Sequence, residues 1–426
     1  MFTSARKINI NILWLSCGHI ISVIAVLTMM KLLANYFDPD EFGVIALIIG
    51  TASMLFGILL GPVLQTLLVV YVKYSKTNAS HNYRIIMGNL IRRRLVIYAI
   101  PILFIGEFLC WYWELHWLTP FLVLGLITVD TARTFEQRLY AAAQRQIAVA
   151  IITAGDVVFR AAFVFIFLFL FESSVYVAIA GNLIGAALFS LSIYILSSPV
   201  SSKGTGDSST EINSKVTDET NSLAKPLLPS FLLTSLTESG NRYITSAILG
   251  LQSAGLYIGA YGLVRRPYGI LGNIGEILMT PTLKIAMENG EHEKIKQTRF
   301  HWLVFIVMFS FLGALIFYVF REPLILLLLS EKYLGAADLL SGIAIAIALN
   351  TIANVFNWFS MTLGKSQPVF INNLVGSTVT TVLTVLLCTF IGINGAVWAL
   401  VFGYLAQLTT SIITFKSLLV LHKNED

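Results

Sequence analysis

The chain has 426 residues, of which 56% are hydrophobic and only 12% are charged, and its net charge is +5. A water-soluble domain carries about 25% charged residues, so this composition excludes a globular protein with a fully water-exposed surface. The mean hydropathy of +0.79 is that of a chain embedded in a membrane. The three cysteines all lie in apolar stretches and show neither a disulfide framework nor a metal-ligand spacing.

Apolar stretches of membrane-spanning length run through nearly the whole chain. A transmembrane helix needs ~20 mainly apolar residues to cross ~30 Å of hydrocarbon. By this measure we predict twelve helices, near residues 9–33, 43–71, 93–112, 117–142, 147–171, 174–196, 226–250, 255–283, 300–320, 334–363, 367–390 and 394–418. The segments are apolar on all sides, which favours helices over the alternating strands of a barrel. We therefore predict an all-α membrane protein.

Basic residues are distributed unevenly between the predicted loops. When the N-terminus is placed in the cytoplasm, the cytoplasmic segments collect twenty Lys and Arg residues and the external turns collect three. Cytoplasmic loops of membrane proteins are enriched in these residues. The asymmetry predicts an even number of helices with both termini cytoplasmic. It also accounts for the positive net charge, so we expect no nucleic-acid partner.

One long polar stretch, residues 198–225, interrupts the apolar pattern. It is rich in Ser, Thr, Gly and charged residues, as flexible linkers are. It divides the chain into an N-terminal six-helix bundle, residues 1–197, and a C-terminal six-helix bundle, residues 226–426, joined by a cytoplasmic linker. Residues 39–47 and 253–261 each form a turn, a glycine and an apolar run. This echo favours a duplicated two-lobe transporter with parallel halves.

A compact set of ionisable side chains, five cations and five anions, lies within the predicted helices. A charge at the membrane centre costs about 3 kcal/mol on insertion scales, so by default it faces a partner or an aqueous cavity. These residues are Asp130, Arg133, Glu136, Asp156, Arg160, Glu238, Arg242, Arg265, Arg266 and Glu276. The chain shows no nucleotide-binding loop, metal-ligand cluster or catalytic nucleophile motif. We therefore expect a protein that is not an enzyme and that uses neither a cofactor nor a metal.

Two interpretations of these charges stay open. Arginine binds phosphate oxygens in a bidentate way and does not deprotonate, which suits the capture of an anionic substrate group. Alternatively, pairs on one helix neutralise each other and pack helices together. The substrate-binding candidates are Arg265, Arg266, Arg242 and Arg160. The candidates for coupling to an ion gradient are Asp156 and Glu238. The gating or structural charges are Asp130, Arg133, Glu136 and Glu276.

An asparagine-rich group lies in the last third of the chain. Asn354, Asn357 and Trp358 fall on one predicted helix, and Asn372 and Asn373 fall on the next. Their side chains suit contact with sugars. Hydrogen bonding between helices explains the asparagines about as well.

Four motifs resemble a known family in their order along the chain. They are KLLANYFDPDEFG at 31–43, ILGLQSAGLY at 248–257, SEKYLGAA at 330–337, and LGKSQ at 363–367 taken together with IGINGAV at 391–397. The chain resembles the polysaccharide exporters, in particular the Wzx-type flippases for O-antigen and related undecaprenyl-linked repeat units. These belong to the superfamily shared with lipid II flippases and multidrug and toxic compound extrusion transporters.

The resemblance implies two six-helix bundles around a central cavity that opens alternately to each side. It implies a flippase in the bacterial cytoplasmic (inner) membrane that moves an undecaprenyl diphosphate-linked oligosaccharide to the outer leaflet for lipopolysaccharide, O-antigen or capsule biosynthesis. The implied partners are this glycan, membrane lipids, and polysaccharide polymerase and chain-length proteins. Two alternatives stay open: a multidrug or small-molecule exporter of the same fold, and a membrane O-antigen polymerase or ligase.

Overall fold

The computed structural model describes residues 2–75, 80–143, 145–197, 210–363 and 367–425. All regular secondary structure in these residues is helical. Ten helical segments among them are long and apolar enough to cross a membrane. The prediction of an all-α membrane protein is confirmed, whereas the count of twelve spans and the cytoplasmic termini stay predictions.

The described residues of the first half form seven helices: α1 Phe2–Tyr36, α2 Pro39–Leu59, α3 Gly61–Ser75, α4 Ser80–Trp113, α5 Thr119–Ala142, α6 Gln146–Leu170 and α7 Val175–Ser197. Each predicted helix overlaps at least one of them. The helix predicted at 43–71 is interrupted at Leu60. Pro62 then lies in the first turn of α3, where its missing amide hydrogen loses no helical hydrogen bond.

Seven more α-helices lie in the part of the second half that the structure describes: α8 Thr210–Ala224, α9 Leu228–Glu288, α10 His292–Val319, α11 Arg321–Leu328, α12 Ala337–Thr362, α13 Gln367–Ile391 and α14 Ile393–Glu425. Helix α9 includes two predicted helices and the turn predicted between them. Its one non-helical residue is Gly250, at φ 83° and ψ 173°. Glycine adopts this conformation without the steric penalty that a Cβ would bring.

Part of the polar stretch predicted to be a flexible linker is helical. Helix α8 buries Val216, Thr220 and Ala224, which are spaced four residues apart and therefore share one face. This face packs against α3 and α4. Residues 198–209 lie outside the described residues, and the cytoplasmic location of the stretch stays a prediction.

The helices group into two compact units. The first unit comprises Met1–Met29 and Ile45–Ser235, and the second comprises Met30–Val44 and Leu236–Asp426. The end of α1 and the start of α2 thus belong to the second unit. There Ser330 donates a 2.7 Å hydrogen bond to the carbonyl oxygen of Ala34. The predicted bundles, residues 1–197 and 226–426, have different boundaries from these two units. The division into two six-helix bundles stays a prediction.

Each unit has an apolar core and an apolar exterior. In the first unit Ile152, Phe189 and Ile193 pack together. The second unit has a larger aromatic core, formed by Leu283, Trp302, Ile306, Val355, Phe359 and Phe415. Large apolar side chains also face outward, among them Phe104 and Phe390 at 74% and 81% exposure. Outward-facing apolar side chains in such numbers suit contact with lipid.

Candidate functional site

Four of the predicted charges meet inside the first unit. The Nη2 of Arg160 lies 2.5 Å from Oδ1 of Asp130, and its Nε lies 3.0 Å from Oδ1 of Asp156. Arg133 reaches the same acids, with its Nε 3.3 Å from Oδ2 of Asp156 and 3.8 Å from Oδ1 of Asp130. Two acids on different helices and two arginines therefore form one cluster whose formal charges cancel.

The guanidinium of Arg160 is buried and bound by three helices. Only 11% of its side chain is exposed, and only 7% of that of Asp156. Its Nη1 donates a 3.0 Å hydrogen bond to Oδ1 of Asn182 on α7. Each nitrogen of the guanidinium thus has an acceptor within the first unit. This geometry favours a structural or coupling role for Arg160. Its prediction as a substrate-binding residue rests only on the chemistry of arginine.

Glu136 does not join this cluster. Its carboxylate pairs with the guanidinium of Arg84 on α4, with Oε1 and Nη2 2.5 Å apart. The charges predicted to lie together on one face of α5 therefore serve two separate ion-pair systems. No local sequence pattern indicates the pairing with Arg84, because Arg84 lies 52 residues before Glu136.

Two of the four arginines predicted to bind substrate, Arg242 and Arg265, lie beside Tyr261 in the second unit. Arg265 donates a 2.7 Å hydrogen bond from Nη1 to the hydroxyl of Tyr261. The guanidinium carbons of Arg265 and Arg242 lie 5.7 and 5.9 Å from the centroid of the Tyr261 ring, within the ~6 Å range of cation–π attraction. Arg266 is exposed, and its positive charge is repelled by those of Arg265 and Arg242 nearby.

This arginine cluster, Arg242, Arg265 and Arg266, concentrates positive charge. Among the described side chains no carboxylate pairs with Arg242 or Arg266, and the buried Nε of Arg242 has no acceptor. An anion near these guanidinium groups would relieve their mutual repulsion. The side chains of Glu238 and Glu276 lie outside the described part of the structure. The ion pair between Glu238 and Arg242 is therefore still only a prediction.

A cavity of about 360 Å³ adjoins Arg265 inside the second unit. This volume is within the ~300–1,000 Å³ range of pockets that take small ligands. Among the residues that line it are Asn354, Trp358 and Asn373. The structure thus brings together the asparagine-rich group that the sequence singled out. Tyr261, Trp302 and Asn350 were missed, although Tyr261 lies one helical turn before Arg265.

Residues 32–338 match the sequence model of a family described as "Polysaccharide biosynthesis protein". No significant match was found among curated proteins. The fold is similar to that of the lipid II flippase MurJ in an inward closed conformation, with a TM-score of 0.69 and 13% sequence identity over 96% of this chain and 87% of that one.

Two transporters are also similar in fold. An outward-facing multidrug resistance MATE family transporter of the MOP superfamily aligns with a TM-score of 0.68 and 11% identity over 97% of this chain and 96% of that one. A MATE transporter of Vibrio cholerae aligns with a TM-score of 0.65 and 14% identity over 98% of both chains. At such identities the likeness shows the fold alone. The family match confirms the predicted resemblance to proteins of polysaccharide biosynthesis, and the structural likeness confirms a fold shared with the lipid II flippase and the MATE transporters.

Proposed function

Because the chain belongs to the polysaccharide biosynthesis protein family, we propose that it is a flippase for an undecaprenyl diphosphate-linked oligosaccharide repeat unit. It moves this unit from the cytoplasmic to the outer leaflet of a bacterial inner membrane by alternating access. The product serves lipopolysaccharide, O-antigen or capsule synthesis. Membrane lipids are its surroundings, and a polymerase and chain-length proteins are the proposed partners that receive the product.

The arginine cluster in the second unit is the observation that carries this proposal. A diphosphate linkage bears a compact negative charge that must leave the headgroup region during translocation, and an uncompensated charge in the membrane interior is unfavourable. Guanidinium groups offer paired donors to phosphate oxygens and keep their charge in a poorly solvated site. Arg265 and Arg242 both lie against the ring of Tyr261. Their guanidinium groups are therefore partly ordered before the substrate binds.

The cluster around Asp156 supports a role in coupling. Its two acids and two arginines balance, so protonation of one acid leaves a buried positive charge without compensation. A bound proton or cation shifts a conformational equilibrium only through different affinities for the two states. We assign Asp156 and Glu238 as coupling residues. We assign Asp130, Arg133, Glu136 and Glu276 as structural or gating charges.

Export of drugs or other small molecules is the second candidate function. The two MATE transporters that share the fold favour it. A site for cationic drugs would be expected to present acidic side chains, whereas the arginine cluster presents positive charge. The solved structures named above are a flippase and transporters, which favours transport over a polymerase or ligase activity.

Complementation tests the proposal. A strain that lacks its own repeat-unit flippase would express this chain together with the glycosyltransferases that build the glycan, and surface glycan would be measured on gels. We expect the wild-type chain and Arg321→Ala, which removes an exposed ion pair with Asp338, to restore surface glycan equally. Restored drug resistance without restored glycan would contradict the flippase and support the exporter.

A further inference from the structure

One face of each of four helices lines the cavity in the second unit. Helix α9 contributes Arg265, Tyr268, Gly269 and Gly272, and α10, α12 and α13 together contribute four asparagines and two tryptophans. The α9 residues are spaced i, i+3, i+4 and i+7, so they share one face of that helix. One guanidinium, four amides and two indoles therefore surround a single space.

A hydrogen-bond network behind the cavity holds two of these amides in place. Oδ1 of Asn357 accepts hydrogen bonds from Nδ2 of Asn372 at 2.8 Å and from the hydroxyl of Ser411 at 3.2 Å. Oδ1 of Asn373 accepts a 2.9 Å hydrogen bond from Nε2 of Gln407. Nδ2 of Asn357 in turn donates a 3.4 Å hydrogen bond to Oδ1 of Asn354. The amide groups left for the cavity are therefore Nδ2 of Asn354 and Nδ2 of Asn373.

Several donors on the cavity wall have no partner within the described part of the chain. The side-chain amide of Asn350 makes no hydrogen bond there, and the Nδ2 groups of Asn354 and Asn373 donate none. Nε1 of Trp302 is buried and also lacks an acceptor. Of these donors only the indole nitrogen is buried, and a buried donor without an acceptor is destabilising. The cavity thus offers a set of hydrogen-bond groups that a polar ligand would satisfy.

Glycine keeps part of the wall open. A Cβ built at Gly269 or Gly272 would meet no described atom within 4 Å beyond the helix itself. Glycine in the middle of a helix is otherwise disfavoured relative to alanine. A side chain at either position would therefore project into the cavity.

We propose that this cavity is a carbohydrate site that binds one pyranose ring carrying an anionic substituent. The amides of Asn350, Asn354 and Asn373 bind the hydroxyl groups, and Trp358 packs against the apolar face of the ring. Arg265 binds the phosphate or carboxylate attached to it. The inference rests on the proposed function and deepens it, because it assigns the subsite that recognises the first sugar of the transported glycan.

The chemistry of the wall favours such a ligand over an apolar one. Sugar hydroxyls are both donors and acceptors, as amide groups are, and an indole face offers the contact that the C–H groups of the ring require. A purely apolar drug would leave these amides unpaired. Inorganic phosphate alone would engage Arg265 and leave the other groups unused.

Ligand binding by the purified full-length protein in lipid nanodiscs tests the proposal. The probes are N-acetylglucosamine 1-phosphate, galactose 1-phosphate, N-acetylglucosamine and inorganic phosphate, measured by calorimetry. We expect at least one sugar phosphate to bind roughly tenfold more tightly than either inorganic phosphate or the neutral sugar. We expect Asn354→Ala to weaken that binding roughly three- to tenfold, as the loss of one hydrogen bond does.

Filling the cavity gives a second arm that does not depend on the choice of sugar. Gly272→Leu should abolish sugar phosphate binding and surface glycan in the complementation strain while the protein stays folded and monodisperse. Gly88→Leu on α4, where a Cβ also meets no described atom, is the matched control and should export normally.

The outcomes separate this inference from the proposed function. Wild-type export together with normal export by a well-folded Gly272→Leu variant overturns the carbohydrate site and leaves the flippase intact. No glycan export by the wild-type chain contradicts the flippase and with it the assignment of a transported sugar. Sugar phosphates that bind no more tightly than inorganic phosphate, together with normal export by Asn354→Ala, also overturn the site.

Discussion

Asp156 accepts a 3.0 Å hydrogen bond from Nε of Arg160, one turn later on the same helix. The other oxygen of this carboxylate lies 3.3 Å from Nε of Arg133 on α5. One buried acid therefore joins two arginines on two helices. Loss of its charge leaves two guanidinium groups competing for Asp130, which makes this position sensitive both to substitution and to protonation.

The first prediction is that Asp156→Asn destabilises the protein by about 3 kcal/mol, since removing one partner from a buried ion pair leaves an uncompensated charge. Thermal unfolding of the purified protein in detergent measures the effect. Asp38→Asn is the control, because Asp38 pairs with Lys332 and both side chains are exposed. Loss of such an exposed pair changes stability by about 0–1 kcal/mol. Equal stability of the two variants would contradict a structural role.

The second prediction separates coupling from stability. If Asp156 or Glu238 binds the coupling proton or cation, Asp156→Asn or Glu238→Gln should transport with an altered dependence on the membrane gradient, even where folded protein is recovered. Proteoliposomes with imposed pH or sodium gradients provide the measurement. A well-folded variant that transports with an unchanged gradient dependence excludes the coupling role for that residue.

The third prediction concerns the arginine cluster. Arg265→Ala should weaken binding of the diphosphate group roughly 10- to 150-fold, the range expected for a hydrogen bond to a charged group, and should abolish surface glycan. Arg265→Lys should restore export only in part, because an ammonium group lacks the bidentate fork. Tyr261→Phe removes the hydrogen bond that holds Arg265 and should give a smaller loss.

Arg321→Ala and Arg266→Ala complete that experiment. The first removes an arginine in an exposed ion pair with Asp338 and should export normally. The second removes a member of the cluster and should reduce export. Normal surface glycan in both Arg265→Ala and Arg266→Ala, at wild-type protein levels, would show that these arginines lie outside the path.

Hydropathy predicted the helices because a chain in hydrocarbon must satisfy its backbone hydrogen bonds within each segment. The same measure could not reveal α8, which is polar overall. Its signal was the spacing of Val216, Thr220 and Ala224 at intervals of four, which marks one buried face. The polar composition of residues 198–225 therefore predicts a flexible linker, whereas residues 210–224 form a helix.

The candidate sites were predictable only where partners are close in sequence. The spacing of Asp156 and Arg160 predicts their ion pair, because residues four apart on a helix are neighbours. The contact between Arg160 and Asp130 spans 30 residues, and no local pattern indicates it. Likewise, the asparagines of α12 and α13 were identified by type, but their common cavity depends on how the helices pack.

Reporter fusions test the topology. The excess of basic residues in the predicted cytoplasmic segments predicts that fusions within residues 198–209 and after the C-terminus both report the cytoplasm. Alkaline phosphatase and a fluorescent protein, active on opposite sides of the membrane, give the two readouts. An external signal at either position would contradict the even helix count.

The last prediction concerns the attachment of residues 30–44 to the second unit. A Cβ at Gly255 on α9 would overlap the carbonyl oxygen of Pro39, at the start of α2, so backbone would have to move to admit it. Gly255→Ala should therefore destabilise the protein by about 1–3 kcal/mol, as overpacking does. Gly240→Ala on the same helix meets no described atom within 4 Å, and it should be neutral or stabilising by up to about 1 kcal/mol because alanine favours the helix. Thermal unfolding of the two variants side by side measures the difference. If Gly255→Ala proved as stable as Gly240→Ala, the close packing of α2 on α9 would be contradicted.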